Sequence, residues 1–142
     1  MPWRRTCPGA ERVHIYLDVS GSMAGVLRPL FGATLDCAPL LWPQIHLFST
    51  RVIDITPAQL RAGLCRTTEG TSIDVVAEHI ADNHIKRALI VTDGWVGRPA
   101  GQHRSTLENT RLAVAYLGPT INQQDLADVA RHTAVLNPEA QS

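Results

Sequence analysis

The sequence predicts an α/β fold, a Rossmann-like three-layer sandwich with a mostly parallel central sheet, one antiparallel edge strand and helices on both faces. Three observations lead there. Short apolar runs alternate with amphipathic stretches along the chain, the rhythm of strand–helix–strand units joined by right-handed crossovers. Two of these runs end in acidic turns, at Asp18 and at Asp93, as strands do at the ligand-binding edge of such a sheet. A third pair of runs is separated by only a few residues, which fits a hairpin and so an antiparallel neighbour.

The elements follow in order. Residues 12–17 are rich in β-branched and aromatic types after Pro8-Gly9, and read as a central strand that delivers Asp18. Across residues 23–41, Val26, Leu27, Leu30, Phe31, Ala33, Thr34 and Cys37 recur at helical spacing. Pro29 either sits near the first turn of that helix or kinks it, and Pro39 and Pro43 close it. Residues 44–50 alternate through Ile45 and Leu47, and residues 52–55 end shortly before Pro57, so the pair reads as a hairpin whose second strand is an edge. Residues 58–64 suit a short helix, and residues 66–71 a polar loop.

From Ser72 onward, Ile73, Val76, Ala77 and Ile80 form one face of an amphipathic helix, with Thr71 and Asp74 spaced as a capping box. Residues 88–91 are consecutively apolar, the mark of a parallel strand covered on both faces, and run into Thr92-Asp93-Gly94. Residues 95–105 read as a loop, and residues 111–117 as a strand stopped by Gly118-Pro119. Asn122 is placed to cap a helix with Leu126, Val129 and Ala130 inward, and residues 134–136 form a last short strand before Pro138.

Length and composition bound what such a fold can serve. The 142 residues suit one domain, with an ordered core of about 12–137, an N-terminal arm over 1–11 and a C-terminal tail over 138–142. A chain 44% hydrophobic and 18% charged belongs with globular proteins. Thirteen basic residues balance 13 acidic ones, so no overall field draws it to nucleic acid or to an anionic membrane. Cys7, Cys37 and Cys65 are an odd, widely spaced set without a C-x-x-C pair, which points to a reducing cytoplasm rather than to a disulfide framework or zinc ribbon. Neither a signal peptide nor a run of the ~20 apolar residues needed to span a bilayer is present in the sequence.

The chemistry gathers at the strand ends. Asp18-Val19-Ser20-Gly21-Ser22 sets a carboxylate and two hydroxyls at alternate positions directly after a strand. Hard cations such as Mg²⁺ take oxygen donors of that kind, with one or two carboxylates and some positions left open. Asp93 leaves a second strand end, and the loop ending at Thr71 precedes a helix whose free N–H groups face the same crevice.

With these three pieces in place, the chain resembles a von Willebrand factor type A domain carrying a metal-ion-dependent adhesion site, over about residues 13–136. The family's D-x-S-x-S matches Asp18, Ser20 and Ser22, its threonine matches Thr71 within Glu69-Gly70-Thr71-Ser72, and its third-loop aspartate matches Asp93. The resemblance implies a site of Asp18, Ser20, Ser22, Thr71 and Asp93 holding Mg²⁺, with Mn²⁺ or Ca²⁺ as substitutes. Ser20 and Ser22 would bind the ion directly, Thr71 or Asp93 directly or through water, and Asp18 mostly through water while bonding the serine hydroxyls. The open position would accept an aspartate or glutamate from a partner protein. Gly21, Gly70, Gly94 and Trp95 would form the rim, the glycines by close backbone approach and Trp95 as an apolar anchor. Short cytoplasmic relatives often work beside AAA+ ATPases in larger assemblies. Larger members carry a further C-terminal helix for which this sequence leaves no room, so piston-like switching is not expected.

An enzyme is not expected. An aspartyl phosphatase needs a second aspartate where Ser20 stands, no Walker lysine follows the glycines, and neither Ser20 nor Ser22 has a G-x-S-x-G setting. Two alternatives share the same loops: metal-assisted hydrolysis of a phosphoester, and a structural subunit whose ion only ties the loops together. His14, His46, His79, His84, His103 and His132 are scattered, and His79 with His84 lacks the i, i+4 spacing of a helical zinc pair, so they read as structural or solvated.

Overall fold

Side chains alternate across a strand, and in the first strand both faces are covered. In β1 (His14–Asp18), Ile15 and Leu17 enter one apolar cluster and Tyr16 enters another. The computed structural model describes residues 12–61 and 71–136, apart from the side chains of Ser22, Ala24, Val26, Ala38 and Arg61. With β2 (Ile45–Phe48), β3 (Val52–Ile55), β4 (Arg87–Thr92), β5 (Arg111–Leu117) and β6 (His132–Leu136), the sheet runs β3-β2-β1-β4-β5-β6. Every pairing is parallel except β2 with β3, so the hairpin and its antiparallel edge strand are as expected. From β1 the chain goes outward to β2 and β3, then returns to place β4 on the other side. Strand order therefore reverses between β1 and β4, where an open α/β sheet makes its binding crevice.

Helices cover both faces. On one side α1 (Leu27–Asp36) and α2 (Pro57–Arg61) set Leu27, Leu30 and Leu60 against Ile15, Leu17, Ile45, Leu47 and Val91. On the other, α3 (Ile73–Asn83) and α4 (Gly101–Glu108) set Ile73, Val76, Ala77, Ile80 and Leu107 against Tyr16, Phe48, Ile90 and Val114. The second half of the predicted 58–64 helix, the loop over 66–70 and the terminal arms lie outside the described residues.

Four expectations are corrected. The helix predicted over 23–41 begins as a 3-10 turn, Gly21–Val26, and becomes α-helical only at Leu27. Pro29 explains this: it falls in the first turn, where a missing N–H is harmless, but its ring opposes an α-ladder continued back through Gly25. The cap of α3 is Ser72, whose Oγ accepts from the Asp74 N–H at 3.2 Å, and not a Thr71–Asp74 capping box. Residues 101–105, predicted as the end of a loop, instead open α4, which hides in the sequence because it buries Leu107 alone and is otherwise polar. The helix predicted after Asn122 is instead a series of turns. Asn122 Oδ1 does accept from the Gln124 N–H at 3.0 Å, but Ala127 and Val129 bond to carbonyls three residues back at 3.3 and 3.2 Å. Leu126 and Val129 still point inward and are buried, so the pattern marked the right face with the wrong backbone.

Candidate functional site at the carboxyl edge of the sheet

Asp18 closes β1 and Asp93 follows β4 by one residue. Because β1 and β4 are parallel neighbours, both acids reach the same edge, at the reversal point. Both are withdrawn from water, Asp18 at 0% and Asp93 at 2% exposure. Asp18 Oδ1 accepts from the Ser20 N–H at 2.9 Å, Oδ2 accepts from the Thr92 hydroxyl at 2.6 Å, and the Ser20 hydroxyl also bonds this carboxyl. Burial pushes the Asp18 carboxyl above its ordinary range; the Ser20 and Thr92 bonds oppose the rise, and the charge of Asp93 adds to it. Two buried acids at one edge, each charge opposing the other, favour a counter-charge beside them.

Thr92 is the residue that sequence reasoning missed here. Its hydroxyl donates to Asp18 and accepts from the Gly94 N–H at 3.0 Å, tying the first loop to the third. An apolar run ending in threonine gave no hint of it. Gly94 has φ +93°, and a Cβ there would lie 1.8 Å from the Asn122 carbonyl oxygen and 2.9 Å from Tyr116 Cε1. Only glycine fits that turn. Gly21 is exposed at the start of the 3-10 turn.

The chain is pinned directly after Thr71. The Ser72 N–H donates to the Ser49 carbonyl just beyond β2, and the Ile73 N–H to the Val96 carbonyl beyond β4, both at 2.9 Å. Thr71 thus stands by the ends of β2 and β4, the two neighbours of β1 in the sheet. Its hydroxyl oxygen is buried and has no hydrogen-bond partner among the described residues. Freed from capping by Ser72, it is an oxygen donor with nothing else to do. Ser20 is buried as well. Ser22 has its backbone in the 3-10 turn with its side chain outside the described residues, and Gly70 lies outside them entirely.

Trp95 stands at the rim. It is 53% exposed, its indole N–H donates to the Thr120 carbonyl at 3.1 Å, and its backbone N–H donates to Asp93 Oδ1 at 3.2 Å. The ring is therefore held in place while presenting a face to solvent, and it does not fold back on the sheet. The set Asp18, Ser20, Thr71 and Asp93 is all oxygen and mixes carboxylate with hydroxyl, which suits a small hard dication and suits soft or nitrogen-seeking metals poorly.

At the opposite edge of the sheet, two of the histidines read from the sequence as structural or solvated, His46 and His79, meet Asp54. His46, Asp54 and His79 offer ligand atoms all within 4.8 Å of one another, so these side chains form a group able to hold a metal ion. Separations of 8 and 25 residues along the chain concealed it from any spacing rule. His103 bridges Asp74 and Glu78 at 3.2 and 3.3 Å on the surface. Among the described residues no helix is long and apolar enough to cross a membrane.

Fold and edge together define the class: an open, doubly wound α/β domain with a buried carboxylate pair where the strand order reverses. Neither a family model nor a curated protein matches the sequence. Among solved structures the chain is similar to proximal thread matrix protein 1 of the mussel byssus, with a TM-score of 0.66 and 12% identity, over 87% of this chain. It spans 40% of that protein's chain. At this identity the likeness shows the fold alone.

Proposed function

We propose that the domain is a divalent-cation-dependent protein-binding module of the von Willebrand factor A type, in which Asp18, Ser20, Ser22, Thr71 and Asp93 hold Mg²⁺ at a metal-ion-dependent adhesion site. The observation that carries this reading is the pair of buried acids at the strand-order reversal, beside a buried Thr71 hydroxyl that no other described group engages. An ion there neutralises charge that burial otherwise opposes. Asp18, already bonded by Ser20 and Thr92, serves mainly to orient its neighbours, while Ser20 and Ser22 are direct donors and Thr71 and Asp93 bind directly or through water. When bound, Mg²⁺ supplies a positive centre for a carboxylate, so the partner offers aspartate or glutamate. Trp95 gives that partner an apolar contact beside the ion. By resemblance the setting is a cytoplasmic assembly, one with an AAA+ ATPase subunit fitting best.

The first test is thermal. Mg²⁺ at a hundredfold excess over its dissociation constant stabilises a folded domain by about 2.7 kcal/mol, which reads as several degrees in Tm. Asp18→Ala and Asp93→Ala are each expected to abolish that rise. If both variants respond to Mg²⁺ as the parent does, the site is not where the ion binds.

A further inference from the structure

We propose that His46, Asp54 and His79 form a second, chemically distinct cation centre, an N₂O set for a borderline ion of the Zn²⁺ class, at the edge of the sheet remote from Asp18 and Asp93. Strand alternation builds it. Tyr16 pairs with His46 and His46 with Asp54 across β1, β2 and β3, and residues of this parity face α3, which lowers His79 onto them from its second turn. His46 Nδ1 lies 2.7 Å and His79 Nε2 3.3 Å from the same oxygen, Asp54 Oδ1. Ligands at 2.0–2.1 Å around a tetrahedral Zn²⁺ stand about 3.3 Å apart, so displacements within an ångström or so seat the ion.

What separates this group from a chance surface cluster is the support behind each ring. His46 Nε2 is 2.9 Å from His14 Nδ1, and His79 Nδ1 is 2.8 Å from the Tyr16 hydroxyl. Each imidazole thus turns one nitrogen to Asp54 and has the other engaged, the arrangement by which ligating histidines are oriented. Stacking adds to it, with ring centroids 4.7 Å apart for Tyr16 and His46 and 4.9 Å for His14 and Trp42. Burial holds His14 and His46 below the ordinary histidine range.

Protons balance without release to solvent. In the tautomers that turn His46 Nδ1–H and His79 Nε2–H to the Asp54 carboxylate, His46 Nε2 and His79 Nδ1 accept from His14 and Tyr16. With an ion, Nδ1 of His46 and Nε2 of His79 would bind it and their protons would move to the far nitrogens through a change of tautomer, His14 changing with them and the Tyr16 hydroxyl turning from donor to acceptor. Asp54, about one-third exposed, opens onto a cavity of about 590 Å³ with Arg12, Lys86 and Arg87 on its walls, so the fourth position is left to water or a small anion.

The test uses the full chain freed of metal. Calorimetric titration with Zn²⁺ is expected to show one site per chain that excess Mg²⁺ does not displace. His79→Gln and Asp54→Asn should each weaken it by about tenfold or more, while Asp93→Asn leaves it unchanged. Loading with Cu²⁺ should give an electron paramagnetic resonance spectrum with splitting from two imidazole nitrogens, reduced to one in His79→Gln, a signature that an all-oxygen site does not produce. His79 and Asp54 are both partly exposed, and circular dichroism without metal checks that the variants fold. Absence of Zn²⁺ binding, binding that survives both substitutions, or binding lost in Asp93→Asn would overturn the proposal.

Discussion

A carboxylate taken out of water stays charged only if something replaces the water, and at Asp93 the described replacement is a single N–H, that of Trp95. Asp93→Asn keeps an acceptor for that bond and removes the charge. Stability measured in chelator should therefore hold or rise, while Mg²⁺ no longer raises the Tm. A fall of more than about 1 kcal/mol in chelator would mean the carboxylate stabilises the fold by itself. Gly94→Ala is expected to cost about 2 kcal/mol or more in denaturant unfolding, given its positive φ and the Asn122 carbonyl in the way. At the other edge, burial first and His46 second lower His14 from 6.5 to about 4. The unfolded chain takes up a proton near 6.5 that the folded chain refuses, so this group's contribution is complete above pH 6.5 and is lost as pH falls towards 4. Metal-free Tm should decline across that window, and His14→Phe should flatten the decline.

Adjacent residues at one helix start divide two tasks. Ser72 caps α3 with its side chain, whereas the Thr71 hydroxyl has no described partner. Ser72→Ala should cost about 1 kcal/mol of stability with or without Mg²⁺. Thr71→Val should leave chelator stability within about 0.5 kcal/mol and weaken Mg²⁺ binding, and equal losses in both conditions would assign Thr71 to the fold alone. The strands were legible because apolar runs such as residues 88–91 admit little else in a chain this length, and their acidic ends marked the crevice. Helix α4 was not, since Leu107 is its one buried apolar residue and hydrophobic periodicity needs several. Thr71 against Ser72 as cap could not be decided from spacing, because both are good capping residues and the choice depends on which backbone turns first. The His46–Asp54–His79 group was invisible for a different reason: it is assembled by strand pairing and helix packing, neither of which leaves a local motif.

Across the whole domain, one helix joins the two edges. Helix α3 begins beside Thr71 and carries His79 seven residues beyond its cap, about 10 Å at 1.5 Å per residue. At that separation, with no shared ligand, the two sites should act additively. Acidic and basic residues balance at 13 each, so neither site works through a general field, and each must be recognised by local donors. The central claim is that oxygen donors from three loops meet on one ion at the strand-order reversal. Anomalous diffraction from crystals grown with Mn²⁺ in place of Mg²⁺ addresses it directly. A peak bounded by Ser20, Ser22, Thr71 and Asp93 is predicted, and a map with no peak between Asp18 and Asp93 under saturating Mn²⁺ would contradict it.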